Sequence, residues 1–287
     1  MADEDRRDPV DHLIFLGDNF YPHGLPADAL EERVRLNVAE PYCRFVRFAP
    51  HVSDAVRGAC TAPETERHPV GFFALLGNHD YHLPESPAFE AERLPDLIES
   101  WRVVGVPVER IDLPQGVSFI FYDSELLRQS SHAADLVRLT AAVRDAPGPW
   151  RIAAAHHPLD SAHRSRPIER ALVESGVRLH LHLAGHLHDL RVATPPAPLP
   201  ALEVVSGGGG GFESNPRALA HQRFIAKRIG FARVDLDGTG ADSRLHVRMF
   251  AVSPAVSPAD PSGSSAELVS AWSVSLNGVV RDETPQP

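Results

Sequence analysis

Carboxylates, imidazoles, an amide and a phenol stand directly after four short apolar runs in this 287-residue sequence. Leu13-Ile-Phe-Leu-Gly is followed by Asp18, Asn19, Phe20 and Tyr21, and Phe72-Phe-Ala-Leu-Leu-Gly by Asn78, His79 and Asp80. Ile152-Ala-Ala-Ala leads to His156 and His157, and Leu181-His-Leu-Ala-Gly to His186 and His188. These are metal ligands by type. The two oxygens of a carboxylate such as Asp18 can bridge ions about 3.5–4 Å apart, the spacing of two-metal hydrolases. Neutral imidazoles suit divalent iron or zinc, and the amide oxygen of Asn78 adds a ligand without charge. A Tyr21 phenolate, hard and anionic, favours Fe(III).

Such residues must be carried by strands that end together. Apolar runs of this length suit strands buried on both faces, and open α/β sheets place their ligands at the carboxyl ends of their strands. Gly17 lets the chain turn sharply there. The rest of the sequence supplies the other layers. Helical spacing begins near Ala29 after a capping Asp28, with Val34, Leu36 and Val38 facing a core, and recurs at residues 132–145 and 168–175. Beyond residue 190 the pattern turns to strands: 202–206, 230–236, 245–252 and 268–276, the last two separated by a Pro/Ser/Gly linker at 253–265. Residues 1–12 read as loose and the segment from 281 to 287 as a disordered tail, leaving one domain over residues 1–280. βα alternation followed by strands predicts two packed sheets with helices outside.

A net charge of −10 argues against binding a nucleic-acid backbone, though a metal cluster would still attract a small phosphorylated substrate. No apolar run is long enough to span a bilayer. Cys43 and Cys60 are too few for a disulfide framework and read as ordinary buried residues. The amino terminus is charged and carries no export signal, so the chain as written is expected in the cytoplasm. His180 and His182 alternate along a strand, which favours structural or solvent-facing roles. The glycines at 207–211 lack a following Lys-Ser/Thr and are not a P-loop.

Gly17-Asp-Asn-Phe-Tyr21, Gly77-Asn-His-Asp80, His156-His-Pro158 and Gly185-His-Leu-His188 resemble, in order and spacing, the motifs of the calcineurin-like metallophosphoesterases. The tyrosine three residues after Asp18, and the strand and glycine turn at 204–212, are similar to the purple (tartrate-resistant) acid phosphatase branch. The resemblance covers roughly residues 11–252. It implies a four-layer αββα sandwich of two mixed sheets flanked by helices. It also implies a phosphomonoesterase in which a metal-bound hydroxide attacks phosphorus in line, with a phosphodiesterase as the alternative. Metal one would be held by Asp18, Tyr21 and His188, and metal two by Asp18, Asn78, His156 and His186. The ions implied are Fe(III) with Fe(II), Zn(II) or Mn(II). His156 rather than His157 is the implied ligand, because the family histidine stands two before the proline; His157 takes the place of a family tyrosine. His79 is the candidate acid for the departing alkoxide, with Asp80 as its orienting partner, and Asn78 also faces substrate. His163, beside Arg164 and Arg166, is placed either at substrate phosphate or on a solvated loop.

The sequence departs from that family in one place. A strand ending in Asp-x-Gly or Asp-x-His is expected some 30–40 residues before Gly17-Asp18, and its aspartate is a ligand of metal one. No such strand precedes Asp18, and Asp8 and Asp11 follow no buried run. Two expectations follow: either the sequence starts downstream of its natural beginning, which would also hide an export signal for a secreted or periplasmic protein, or one metal site is weakened and the chain is catalytically impaired. Substrate identity and oligomeric state are not legible.

Overall fold

Short apolar runs form the strands. The computed structural model describes residues 1–159, 165–209, 218–253 and 265–285, in two compact units, Met1–Val106 and Pro107–Pro287.

In the first unit, β1 (His12–Leu16), β2 (Gly71–Leu75) and β3 (Trp101–Val103) form a parallel sheet in that order. Leu16 pairs with Leu75, so β1 and β2 end level. The Gly17–Tyr21 loop and the Gly77–Asp80 loop therefore leave the sheet side by side. Phe20, Phe45, Phe72, Leu94, Ile98 and Trp101 pack the core. Around it lie short helices: α1 (Ala2–Arg7), α2 (Leu30–Val34), α3 (Asp54–Gly58) and α4 (Ser86–Ala88). A π-helical turn, Arg35–Ala39, continues α2, and another, Phe89–Arg93, continues α4.

Four expectations for this unit need correction. Residues 1–12 are not loose: Asp5 of α1 is 1% exposed and pairs with Arg44 at 2.7 Å and His68 at 2.9 Å. Burial alone would raise the Asp5 carboxyl, but hydrogen bonds from the Val10 amide, Arg44 and His68 hold it below the usual carboxylate range. β1 is half-buried rather than buried on both faces, because among the described residues it pairs only with β2. Leu36 is 42% exposed, since the widening of the helix into a π turn rotates it away from buried Val34 and Val38. Cys43 and Cys60 are joined in a disulfide.

The second unit holds a seven-stranded sheet, ordered β10-β8-β9-β7-β6-β5-β4. Its members are β4 (Val108–Leu113), β5 (Val117–Tyr122), β6 (Trp150–Ala154), β7 (Leu181–Ala184), β8 (Leu190–Ala193), β9 (Leu202–Ser206) and β10 (Gln222–Ala226). β5, β6, β7 and β9 are parallel, and β4, β8 and β10 are antiparallel to their neighbours. Ala154 pairs with Leu183 and Ala184 with Val205, so the His156 loop, the His186 loop and the glycine turn emerge at one edge. Helices α5 (Ser124–Leu127), α6 (Ala133–Arg144) and α7 (Arg166–Glu174) bury Leu127, Leu139, Val143, Ile168 and Leu172 against Ile120 and Ala153. Val137 of α6 is 69% exposed, one step off the buried stripe.

An antiparallel sheet follows, β11 (Gly230–Asp237), β12 (Arg244–Ser253), β13 (Ser265–Ser275) and β14 (Val280–Asp282). β14 replaces the expected tail: Val280, Arg281 and Asp282 pair with β13, and the Glu283 amide donates to the Ala271 carbonyl. The Trp150 indole donates to Ser243, and the Ala232 amide to Ser206, which ties this sheet to the seven-stranded one. The linker at 253–265 lies almost wholly outside the described residues. The mixed α/β class, with several sheets flanked by helices, agrees with the sequence. No helix among the described residues is long and apolar enough to cross a membrane.

The disulfide yields a prediction. Its ends are 17 residues apart, a loop whose closure is worth about 3 kcal/mol against the unfolded chain. Alkylation of unreduced protein will find both cysteines blocked, and reduction will lower the urea midpoint accordingly. Two free thiols in native protein would contradict the bridge.

Candidate metal centre

Two groups of ligand-type side chains stand at strand ends, one in each unit. In the first, Asp18 has φ of 56°, a left-handed conformation that costs a non-glycine residue about 1–2 kcal/mol. Its Oδ1 accepts the His79 amide hydrogen at 2.8 Å, and its Oδ2 accepts the Tyr21 hydroxyl at 2.9 Å. The two loops are fastened from beneath as well. The buried Asp80 carboxylate accepts amide hydrogens from Gly77 at 2.8 Å, Asn19 at 3.3 Å and Phe20 at 3.2 Å. Asn19 donates its side-chain amide to the Leu75 carbonyl at 2.8 Å and to Glu90 at 2.9 Å.

The expected roles of His79 and Asp80 are thereby revised. Asp80 does not orient the His79 ring; it holds both loop backbones. His79 Nδ1 lies 2.6 Å from the Pro22 carbonyl oxygen, which can only accept, so Nδ1 carries the proton and Nε2 is the nitrogen that exchanges one. Its ring packs against that of Tyr21, tilted by 47° with the centres 4.5 Å apart. Burial, and then the charge and hydrogen bond of Asp18, push the Tyr21 phenol well above its ordinary range. Without a cation it is a neutral donor to Asp18. Asn78 begins the turn containing His79 and is half-buried.

In the second unit, His186 also has left-handed backbone, with φ of 60°. His156 Nε2 and His186 Nδ1 are 3.2 Å apart. Zinc–nitrogen bonds of about 2.0–2.1 Å put tetrahedral ligand atoms roughly 3.3 Å apart, so this pair is spaced as two ligands of one ion. His157 joins them: each of the three rings offers a nitrogen, and all lie within 4.8 Å of one another. His188 is half-buried and outside that trio. His163 lies outside the described residues.

Glycine is required behind the His186 turn. A side-chain carbon at Gly207 would stand 2.1 Å from the Leu187 carbonyl oxygen. Asp189 and Arg191 then form a buried bidentate pair, at 2.7 and 2.8 Å, just past His188. Beneath the His156 loop, buried Glu203 accepts the Leu159 amide at 2.7 Å and lies 3.1 Å from His182 Nδ1, whose Nε2 is 2.7 Å from the Tyr122 hydroxyl. His180 accepts the Arg151 amide hydrogen at Nδ1, at 3.1 Å, and its Nε2 lies 2.9 Å from the Leu276 carbonyl oxygen, so both His180 and His182 hold backbone and side chains of the fold. Asn19, Glu90 and Glu203 escaped the sequence reading because their partners are distant in the chain; only Asn19, beside Asp18, offered a local clue.

Glu90 generates a pH prediction. Burial, and then the Asp80 charge and a hydrogen bond with Asp80, raise its carboxyl well above the ordinary 4.5, and Asp80 is raised chiefly by burial. Above pH 4.5 the unfolded Glu90 loses its proton while the folded one keeps it. The folded state then binds more protons, and stability falls as pH rises toward the folded value. Glu90→Gln, which can still donate to Asp80, should flatten that fall, read as the melting midpoint between pH 5 and 8. An unchanged slope would contradict the assignment.

The model of the family described as calcineurin-like phosphoesterase matches residues 3–190. No curated protein sequence matches the chain. Among solved structures it is similar to PhoD, with a TM-score of 0.59 and 11% identity, covering 100% of this chain and 68% of that one. It is similar to the purple acid phosphatase PPD1 of yellow lupin, at 0.56 and 15%, covering 95% of this chain and 47% of that one. GAP50, the anchor in the inner membrane complex of Plasmodium, matches at 0.52 and 13%, over 90% and 87%. These likenesses are of fold. The chain belongs to the calcineurin-like phosphoesterase family, a family of metal-dependent phosphoester hydrolases.

Proposed function

We propose that the two groups hold one pair of metal ions and that the chain is an acid-phosphatase-like phosphomonoesterase acting on small phosphorylated substrates. The observation that carries this is the Asp18–Tyr21 contact, a bridging-type carboxylate in a strained backbone with a phenol as its partner at 2.9 Å. Asp18, Tyr21 and His188 would hold one ion and Asp18, Asn78, His156 and His186 the other, with Fe(III) favoured by Tyr21 and Fe(II), Zn(II) or Mn(II) by the imidazoles. Such a pair supplies Lewis acidity and an activated water when bound.

The chain's own residues do the rest. His79, held through Nδ1 by Pro22, delivers a proton from Nε2 to the departing alkoxide. Asn78 turns its amide toward the phosphate, and Asp80 and Asn19 keep both loops in place. The Cys43–Cys60 bridge favours an oxidising compartment, hence a secreted or periplasmic enzyme, over the cytoplasm. Alkylation of protein taken directly from its cells tests that, and free thiols would reverse it.

Metal-loaded protein will hydrolyse an aryl phosphate at least tenfold faster than the corresponding bis-aryl diester. The opposite ratio would make it a diesterase, and two bound metals with neither ester cleaved would overturn catalysis in favour of an anchoring role such as that of Plasmodium GAP50. His79→Ala should lower kcat by about 10²–10⁴ with metal content intact. Tyr21→Phe should abolish the visible phenolate-to-iron band, and colour that survives would refute tyrosine ligation.

A further inference from the structure

Three imidazoles converge where β6 and β7 end, although the motif assigns only two. The His157 ring centre is 4.3 Å from that of His186 and 4.8 Å from that of His156, and the His156 and His186 centres are 5.1 Å apart. Consecutive residues of an extended strand point to opposite faces. His156 and His157 follow β6 beyond its last residue, Ala154, where the chain has left the extended conformation, and both rings turn toward His186.

His157 is held as a metal ligand is held. Its Nδ1 lies 2.8 Å from Ser124 Oγ, and the same oxygen accepts the His157 backbone N–H at 3.0 Å. Ser124 is itself fixed at the first position of α5, whose preceding residue Asp123 caps the Leu126 amide at 2.9 Å. Histidines that bind metals almost always anchor their second nitrogen in this way, which leaves the other nitrogen directed at the ion. That other nitrogen, Nε2, lies 3.7 Å from a Glu125 carboxylate oxygen, so negative charge stands beside it. The ring is 4% exposed. Each of the three rings offers a nitrogen within 4.8 Å of the other two, a grouping that one cation can draw together.

We propose that His157 ligates a divalent ion together with His156 and His186, so that residues 107–287 hold one ion of the zinc, cobalt or ferrous type with three imidazoles of their own. This rests on the reading of His156 and His186 as ligands, and it adds a ligand to that site.

The full-length chain with Asp18→Asn, Tyr21→Phe and Asn78→Ala strips the first unit of its carboxylate, phenol and Asn78 ligands while asparagine keeps the left-handed backbone at position 18. It will bind one zinc ion, and X-ray absorption at the zinc edge will count three imidazoles. Adding His157→Gln will lower the count to two and weaken zinc binding at least 100-fold, beyond the roughly 10–100-fold loss that an outer-shell partner causes. A count of two before His157 is changed overturns the proposal, and that count needs no variant at His157 that could fail to fold. Zinc affinity unchanged by His157→Gln but lost in His186→Gln overturns it as well, leaving the metal site itself intact. Zinc bound by no form of the chain, the unsubstituted one included, overturns both the proposal and the metal-centre reading beneath it.

Discussion

The carboxylate of Asp80 fastens the first ligand group. It is wholly buried, and it accepts amide hydrogens from both loops that carry Asp18, Tyr21, Asn78 and His79. Each loop follows a parallel strand, and the pairing of Leu16 with Leu75 makes the strands end together. Register alone brings the loops side by side, but it does not fix where Asp18 points. Three amide hydrogen bonds to one carboxylate do. Burying that carboxylate is unfavourable, and the pressure toward the neutral form falls on Glu90 as well, whose carboxyl is pushed well above its ordinary range by burial and the Asp80 charge. Asn19 joins the pair to the β2 strand end through the Leu75 carbonyl.

The second unit solves the same problem with different residues. β6 and β7 also end level, through Ala154 and Leu183, and the carboxylate beneath their loops is Glu203 on β9. It takes the Leu159 amide and meets His182, while the Asp189–Arg191 pair and the close approach of Gly207 hold the other side of the His186 turn. Asp18 and His186 both sit in left-handed backbone that glycine adopts more easily. Neither is glycine, and on the proposed reading each supplies a ligand atom. Strain of this kind persists only where the surroundings over-determine it, as the buried carboxylates, the ion pair and the glycine contact do here.

Much of this was legible in the sequence. Apolar runs ending in ligand residues marked β1, β2, β6 and β7, and the mixed α/β class followed from βα alternation and a strand-rich last third. What was hidden depended on distant partners or on edges. A periodic pattern cannot tell a half-buried edge strand such as β1 from a central one. The α1 helix exists because Asp5 finds Arg44 and His68, and β14 because β13 lies beside it; neither neighbour is local. The Cys43–Cys60 bridge was missed for want of any rule that two cysteines alone obey. His79 was read as the candidate acid with Asp80 as its orienting partner, but its Nδ1 lies beside the carbonyl of Pro22, 57 residues away in the chain, rather than beside the adjacent Asp80. A motif position decided for His156 over His157 in the sequence, whereas the structure groups both rings with His186.

The central claim is that the two ligand groups serve one pair of ions. The direct measurement is the anomalous scattering of a crystal of the full chain grown with its metals, collected at the absorption edge of each. The account predicts two peaks about 3.5–4 Å apart, one against Asp18 and Tyr21 and the other against His156 and His186, with the Asp18 carboxylate between them. Two peaks too distant for one carboxylate to bridge, or a single peak at the histidines with none beside Tyr21, would contradict it.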